Sequence, residues 1–183
     1  GISDIGGLAG YLEEGSTIDA SMASGTISVT VSDGGDVYYV GGLIGEYHGA
    51  SISNSESTMH IDISGHGVVS GIGGIAGYYQ NTGALVDGVA VSGNINIETM
   101  SGDPNIGVEN IGGIFGYYDG PVFAHGTSAS NISIVSDGYI YNVGGLISDG
   151  GVANVISIYN SYSTGDINAT SNLSTVGSVG GII

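Results

Sequence analysis

The sequence predicts an all-β protein, a parallel β-helix (β-solenoid) of about five coils, with roughly 35 residues and three strands per coil. Three observations predict it. First, a glycine doublet between branched apolar residues recurs six times: IGGLAGYL from Ile5, VGGLIGEY from Val40, IGGIAGYY from Ile72, IGGIFGYY from Ile111, VGGLISDG from Val143 and VGGII from Val179. Second, apolar residues between the doublets alternate with polar ones at period two. Third, the alanine- and leucine-rich stretches that helical repeats of this length need are missing, so the units are strands.

Each repeat opens on the doublet strand. In VGGLIGEY, alternation would place Val40, Gly42 and Ile44 on one face and Gly41, Leu43 and Gly45 on the other, and both faces are apolar. The recurring structural glycines are Gly6, Gly7, Gly41, Gly42, Gly73, Gly74, Gly112, Gly113, Gly144, Gly145, Gly180 and Gly181. Two roles are open for them. They mark a bend at a coil corner, or they permit close approach of a neighbouring element or subunit to a sheet that is dry on both sides. The sequence does not say which face points inward.

A short second strand and an alternating third strand complete the coil. The third strand carries Ile27, Val29 and Val31 in TISVTV; Met59, Ile61 and Ile63 in MHIDIS; Val89, Val91, Ile95 and Ile97 in VAVSGNINI; and Ile132 and Ile134 in NISIV. The residues between them are mostly Ser, Thr, Asn, Asp and His, which gives one buried and one wet face. Turn signals separate the strands: SDGG at Ser32, SGHG at Ser64, SGDPN at Ser101, DGP at Asp119 and SDGG at Ser148. Stacked coils about 4.8 Å apart would pair each strand with its equivalents above and below. A six-bladed propeller would need four strands per blade and aromatic signatures that the chain lacks.

At these residues the chain resembles the GLUG repeat, a Gly-Gly-Leu-x-Gly pattern followed by a turn and an Ile-Ser-Asn-Ser segment. The pattern stands as GGLIGEYHGASISNSES at Gly41 to Ser57, and more loosely as GGIAGYYQNTGALVDG and as NSYSTGDI at Asn160. The fifth repeat departs from it, with Ser148 at the third glycine. The resemblance implies a segment of a large bacterial surface or secreted protein, adhesins among them, and it carries over no catalytic residues. A single repeat domain over 1–183 is expected. GISDIGG at the start and VGGII at the end read as cut edges of a segment or subunit of a larger assembly.

Charge narrows the function classes. The chain has no Lys or Arg against 17 Asp and Glu, a formal charge of -17. It therefore has nothing to neutralise phosphates, which argues against nucleic acid and anionic membranes. Without Cys there is neither a disulfide nor a thiolate metal site. A chain without Lys or Arg also resists trypsin-like proteases, which suits an exposed extracellular object.

Chemistry-bearing residues are sparse. His60 and Asp62 share the wet face of one strand, and a solvated surface pair is the expected reading rather than metal ligands. No cofactor is expected; the turns SDGGD, with Asp33 and Asp36, and SGDPN offer oxygen ligands to calcium without matching a calcium-loop pattern. Tyr11, Tyr47, Tyr78 and Tyr117 follow the doublet in successive repeats and are expected to stack as an aromatic ladder, structural first, with sugar or partner binding as the functional alternative. Asn131, Asn168 and Asn172 open glycosylation sequons.

The expected function is a non-enzymatic, extracellular structural protein of a prokaryotic cell surface, either a self-assembling filament or sheath subunit or an adhesin stalk. Its expected partners are further copies, joined head to tail or laterally, and surface glycans. The alternative is a β-helix protein that binds or processes polysaccharide.

Overall fold

A computed structural model describes residues 1–32, 34–80, 83–151 and 156–182. Coil one contains β1 (Ile2–Gly6), β2 (Ala9–Leu12), β3 (Thr17–Asp19) and β4 (Met22–Val31). Coil two contains β5 (Val37–Gly41), β6 (Ile44–Tyr47), β7 (Ser51–Ser53) and β8 (Glu56–Gly65). Coil three runs through β9 (Val69–Gly73), β10 (Ala76–Gln80), β11 (Leu85–Asp87), β12 (Ala90–Val91) and β13 (Ile95–Thr99). Coil four repeats this as β14 (Val108–Gly112), β15 (Phe115–Asp119), β16 (Val122–Ala124), β17 (Thr127–Ser128) and β18 (Ile132–Ser136). Coil five follows with β19 (Ile140–Gly144), β20 (Ile147–Gly150), β21 (Ser157–Tyr159), β22 (Tyr162–Ser163) and β23 (Ile167–Ser171), and β24 (Val176–Gly180) opens a sixth turn.

Every strand pairs in parallel with its equivalents, so the protein is the expected β-solenoid. Four sheets result, one more than expected: β1-β5-β9-β14-β19-β24, β2-β6-β10-β15-β20, β3-β7-β11-β16-β21, and a fourth built from β4, β8 and the paired short and long strands of later coils. The extra sheet arises at the doublet. Strands of the first sheet end on the first glycine, the chain bends, and the second sheet starts two residues past the second glycine. The segment is therefore not one continuous strand, and the face assignment expected for Val40 to Gly45 does not hold.

The glycines combine both roles left open by the sequence. A Cβ on Gly41 would fall under 3.0 Å from backbone atoms of Ile44, Ile75 and Ala76, while one on Gly42 would strike the carbonyl of Gly74 and the hydroxyl of Ser57 in the fourth sheet. The third glycine of coils two to four packs against the first sheet of the coil below: Gly45 against Asp4, Gly77 against Tyr39, Gly116 against Gly71. The close neighbour is thus another sheet of the same chain. In coil five, Ser148 takes the third glycine's place, is buried, and donates a hydrogen bond to the Gly116 carbonyl.

Those contacted residues share a second feature. Asp4, Tyr39, Gly71, Asn110, Asn142 and Ser178 occupy one position in six successive strands, all with φ between 53° and 72°. Each left-handed residue makes a bulge that breaks the period-two alternation. Apolar residues three apart can then both face the core, and Val37 with Val40, Val69 with Ile72, Val108 with Ile111 and Ile140 with Val143 are all buried. The fourth sheet keeps simple alternation. Ile27, Ile61, Ile95 and Ile132 stack inward in register, as do Val29, Ile63, Ile97 and Ile134, while polar residues face out.

Candidate functional site

The second sheet carries two aromatic columns, offset by one residue. Along the outer column the register is Tyr11, Glu46, Tyr78, Tyr117, Asp149; along the inner one it is Leu12, Tyr47, Tyr79, Tyr118, Gly150. Tyr47 therefore leaves the expected surface ladder. Counted from the doublet it aligns with Tyr79, and like Tyr79 and Tyr118 it is fully buried.

His48 fills the gap. Its ring lies 5.7 Å from Tyr11 and 5.6 Å from Tyr78, and Tyr78 stacks on Tyr117 at 4.8 Å with planes 3° apart. Glu46 hydrogen-bonds the His48 ring at 2.6 Å, and Tyr39 of the first sheet touches Tyr78 at 5.0 Å. The surface ladder is thus Tyr11, His48, Tyr78 and Tyr117. Because neighbouring rings cover one another's faces, the column braces four coils and offers few open faces to a sugar.

In the inner column, Tyr79 stacks on Tyr118 at 5.0 Å. The Tyr118 hydroxyl donates to Val122 O at 2.7 Å, and Tyr47 donates to Ser16 O and Ser51 O. Tyr79 Oη has no hydrogen-bond partner among the described residues. Burial pushes the Tyr47 phenol up to about 12. Burial likewise raises Tyr79 and Tyr118, with a neighbouring tyrosine adding to each. Tyr78 is pushed up to about 12 by burial first, then by Tyr117, Tyr39, Glu46 and Asp119. All four therefore remain neutral phenols at physiological pH.

The outer face of the fourth sheet is polar and recessed. Ser28, Asp62, Asn96, Ser133 and Asn168 form one row across five coils, and Thr30, Ser64, Glu98, Val135 and Thr170 form the next. A trough of about 270 Å³ opens between these rows, joined through Ser64 and Glu98 to a second hollow of about 290 Å³ beside His66 and Met100. Asn96 Nδ2 donates to Asp62 Oδ1 at 2.7 Å. His60 Nδ1 accepts from the Asn94 backbone N–H at 3.2 Å. His60 and Asp62 thus bond to the next coil rather than act as a pair, and among the described residues no group of three or more His, Asp or Glu could hold a metal.

Sequence reasoning missed a polar ladder at the corner between the third and fourth sheets. Ala20, Asn54, Gly88, His125 and Asn160 occupy a second left-handed column there. Ser53 and Asn54 both donate to Asp19 Oδ1, holding that carboxyl below its usual range. His125 Nδ1 bonds Asp87 at 2.6 Å, and Asn160 lies 3.3 Å from its Nε2. The Asn-Ser pair at Asn54 and again at Asn160 was its only sequence signal.

The three sequon asparagines are exposed. Asn131 Oδ1 accepts from the Asp166 N–H and Asn172 donates to Asp137, while Asn168 stands on the outer face of the fourth sheet. Of the turn carboxylates, Asp33 lies outside the described residues. Asp36 accepts from the Val68 N–H, and Asp103 accepts from both nitrogens of Asn105.

Residues 36–64, which run from the start of β5 into β8, match the family pattern described as the GLUG motif. The motif thus coincides with coil two. No curated protein and no solved structure matches the chain significantly. Among the described residues no helix is long and apolar enough to cross a membrane.

Proposed function

We propose that this chain, whose second coil carries the GLUG motif, is a non-enzymatic structural module of an extracellular protein on a prokaryotic cell surface: a solenoid spacer or subunit that lengthens by adding coils. One observation carries the reading. Internal coils bury their cross-section against the coils above and below. Leu43, Ile75, Ile114 and Leu146, one equivalent position in four successive coils, are 0 % exposed, as are Val40, Ile72, Ile111 and Val143. Each coil thus presents the same in-register strand edges and apolar side chains to the next, a cross-section that accepts a further coil from a second copy or a continuing chain.

The side surface supports the same role. Ladders of Tyr, Asn, Asp and Ser tie coil to coil, and the absence of Lys and Arg leaves no trypsin-type cleavage site. Association measured by sedimentation as salt rises tests the proposal. The trough on the fourth sheet favours a second reading, that the module also binds polysaccharide.

A further inference from the structure

We infer that the trough on the outer face of the fourth sheet holds a neutral polysaccharide chain lying along the solenoid axis. The inference rests on the carbohydrate-binding reading above and gives it a place and a ligand class. The trough crosses four coils, contributing Ser28 from the first, Asp62 from the second, Asn96 and Glu98 from the third, and Ser133 and Val135 from the fourth. It therefore repeats its polar groups about every 4.8 Å. A repeating groove suits a repeating ligand, and a linear glycan presents hydroxyls at each sugar.

The chemistry fits hydroxyls. Carboxylates such as Asp62 and Glu98 accept charge-assisted hydrogen bonds, which are stronger than neutral ones. The Asn96 bond to Asp62 fixes both side chains before a ligand arrives, reducing the ordering cost of binding. Val135, and Met100 in the adjoining hollow, offer apolar surface to the C–H face of a sugar ring. Both hollows are open and shallow, a shape that admits an extended chain rather than enclosing a compact ligand. Charge selects the class: with no Lys or Arg in the chain, uronate or sulfated polymers meet only repulsion. A basic protein would be drawn to the acidic surface at large rather than to the trough.

The experiment is calorimetric titration of residues 1–183 with the neutral hexasaccharides of cellulose, chitin and starch, and with an oligogalacturonate. The variants are Glu98→Ala, which removes an acceptor, and Asn96→Trp, which fills the trough; both side chains point outward, so melting temperature should hold. Binding of at least one neutral hexasaccharide is expected, weakened about tenfold by Glu98→Ala and abolished by Asn96→Trp. If none of the four oligosaccharides binds at millimolar concentration, the inference and the carbohydrate reading fall together. If one binds and Asn96→Trp leaves it unchanged, the carbohydrate reading stands and the trough is the wrong site. Preference for the oligogalacturonate overturns the ligand class.

Discussion

Tyr79 and Tyr118 stack in the core with ring centroids 5.0 Å apart, and only Tyr118 has a partner for its hydroxyl among the described residues. The same change at the two sites should therefore act in opposite directions. Tyr118→Phe leaves the Val122 carbonyl without its donor and should cost about 1 kcal/mol, while Tyr79→Phe removes an unsatisfied polar atom and should be neutral or stabilising. Urea denaturation of the two variants checks this.

One residue away, the outer column should be much less costly to cut. Tyr118→Ala opens a core cavity and should cost about 3–5 kcal/mol by analogy with buried aromatic truncations. Tyr78→Ala, which removes a half-buried ring stacked on Tyr117, should cost about 1 kcal/mol. Comparable losses at both sites in thermal melts would show that the columns are misassigned.

The glycine argument separates two kinds of site. Gly42→Val and Gly74→Val drive side-chain atoms into backbone carbonyls of the next coil, a clash that side-chain movement cannot relieve, and should cost more than about 3 kcal/mol. Gly102 has open space around it and a φ of +71°, so Gly102→Ala should cost only the left-handed strain of about 1–2 kcal/mol. Equal tolerance would remove the close approach as the reason for the doublet.

Alkali should unfold the protein before it titrates the inner column. The folded pKa values of Tyr47, Tyr78, Tyr79 and Tyr118 are raised, so folding favours their neutral form. Their contribution is complete below the unfolded phenol value of about 10 and is lost as pH rises from there towards 12 and beyond. Tyrosinate absorbance of these groups should appear together with loss of the β-sheet circular dichroism signal.

What was legible follows from physical range. The coil repeat and the inward column of Ile27, Ile61, Ile95 and Ile132 were readable because burial every second residue is written directly into composition. The bend at Gly41 and Gly42 was legible only as one of two roles, because a strand interrupted by glycines has the same spelling as a continuous one. The left-handed column was hidden too: Tyr39 and Ser178 are poor local signals for positive φ, and the stacked coils impose it. Tyr47 was misplaced because it shares its residue type with the surface ladder, although its distance from the doublet matches Tyr79. His48 was missed as a ladder member because it enters from two residues beyond the column position.

The central claim, a solenoid that lengthens by adding coils, is tested most directly by sedimentation velocity of residues 1–183 at increasing salt, beside the variant Leu8→Lys. Salt screens repulsion among the carboxylates that give the formal charge of -17. The expected result is end-to-end oligomers that lengthen with salt and are suppressed by a lysine on the exposed face of coil one. A strict monomer at every salt concentration, or oligomers that Leu8→Lys leaves unchanged, would contradict the account.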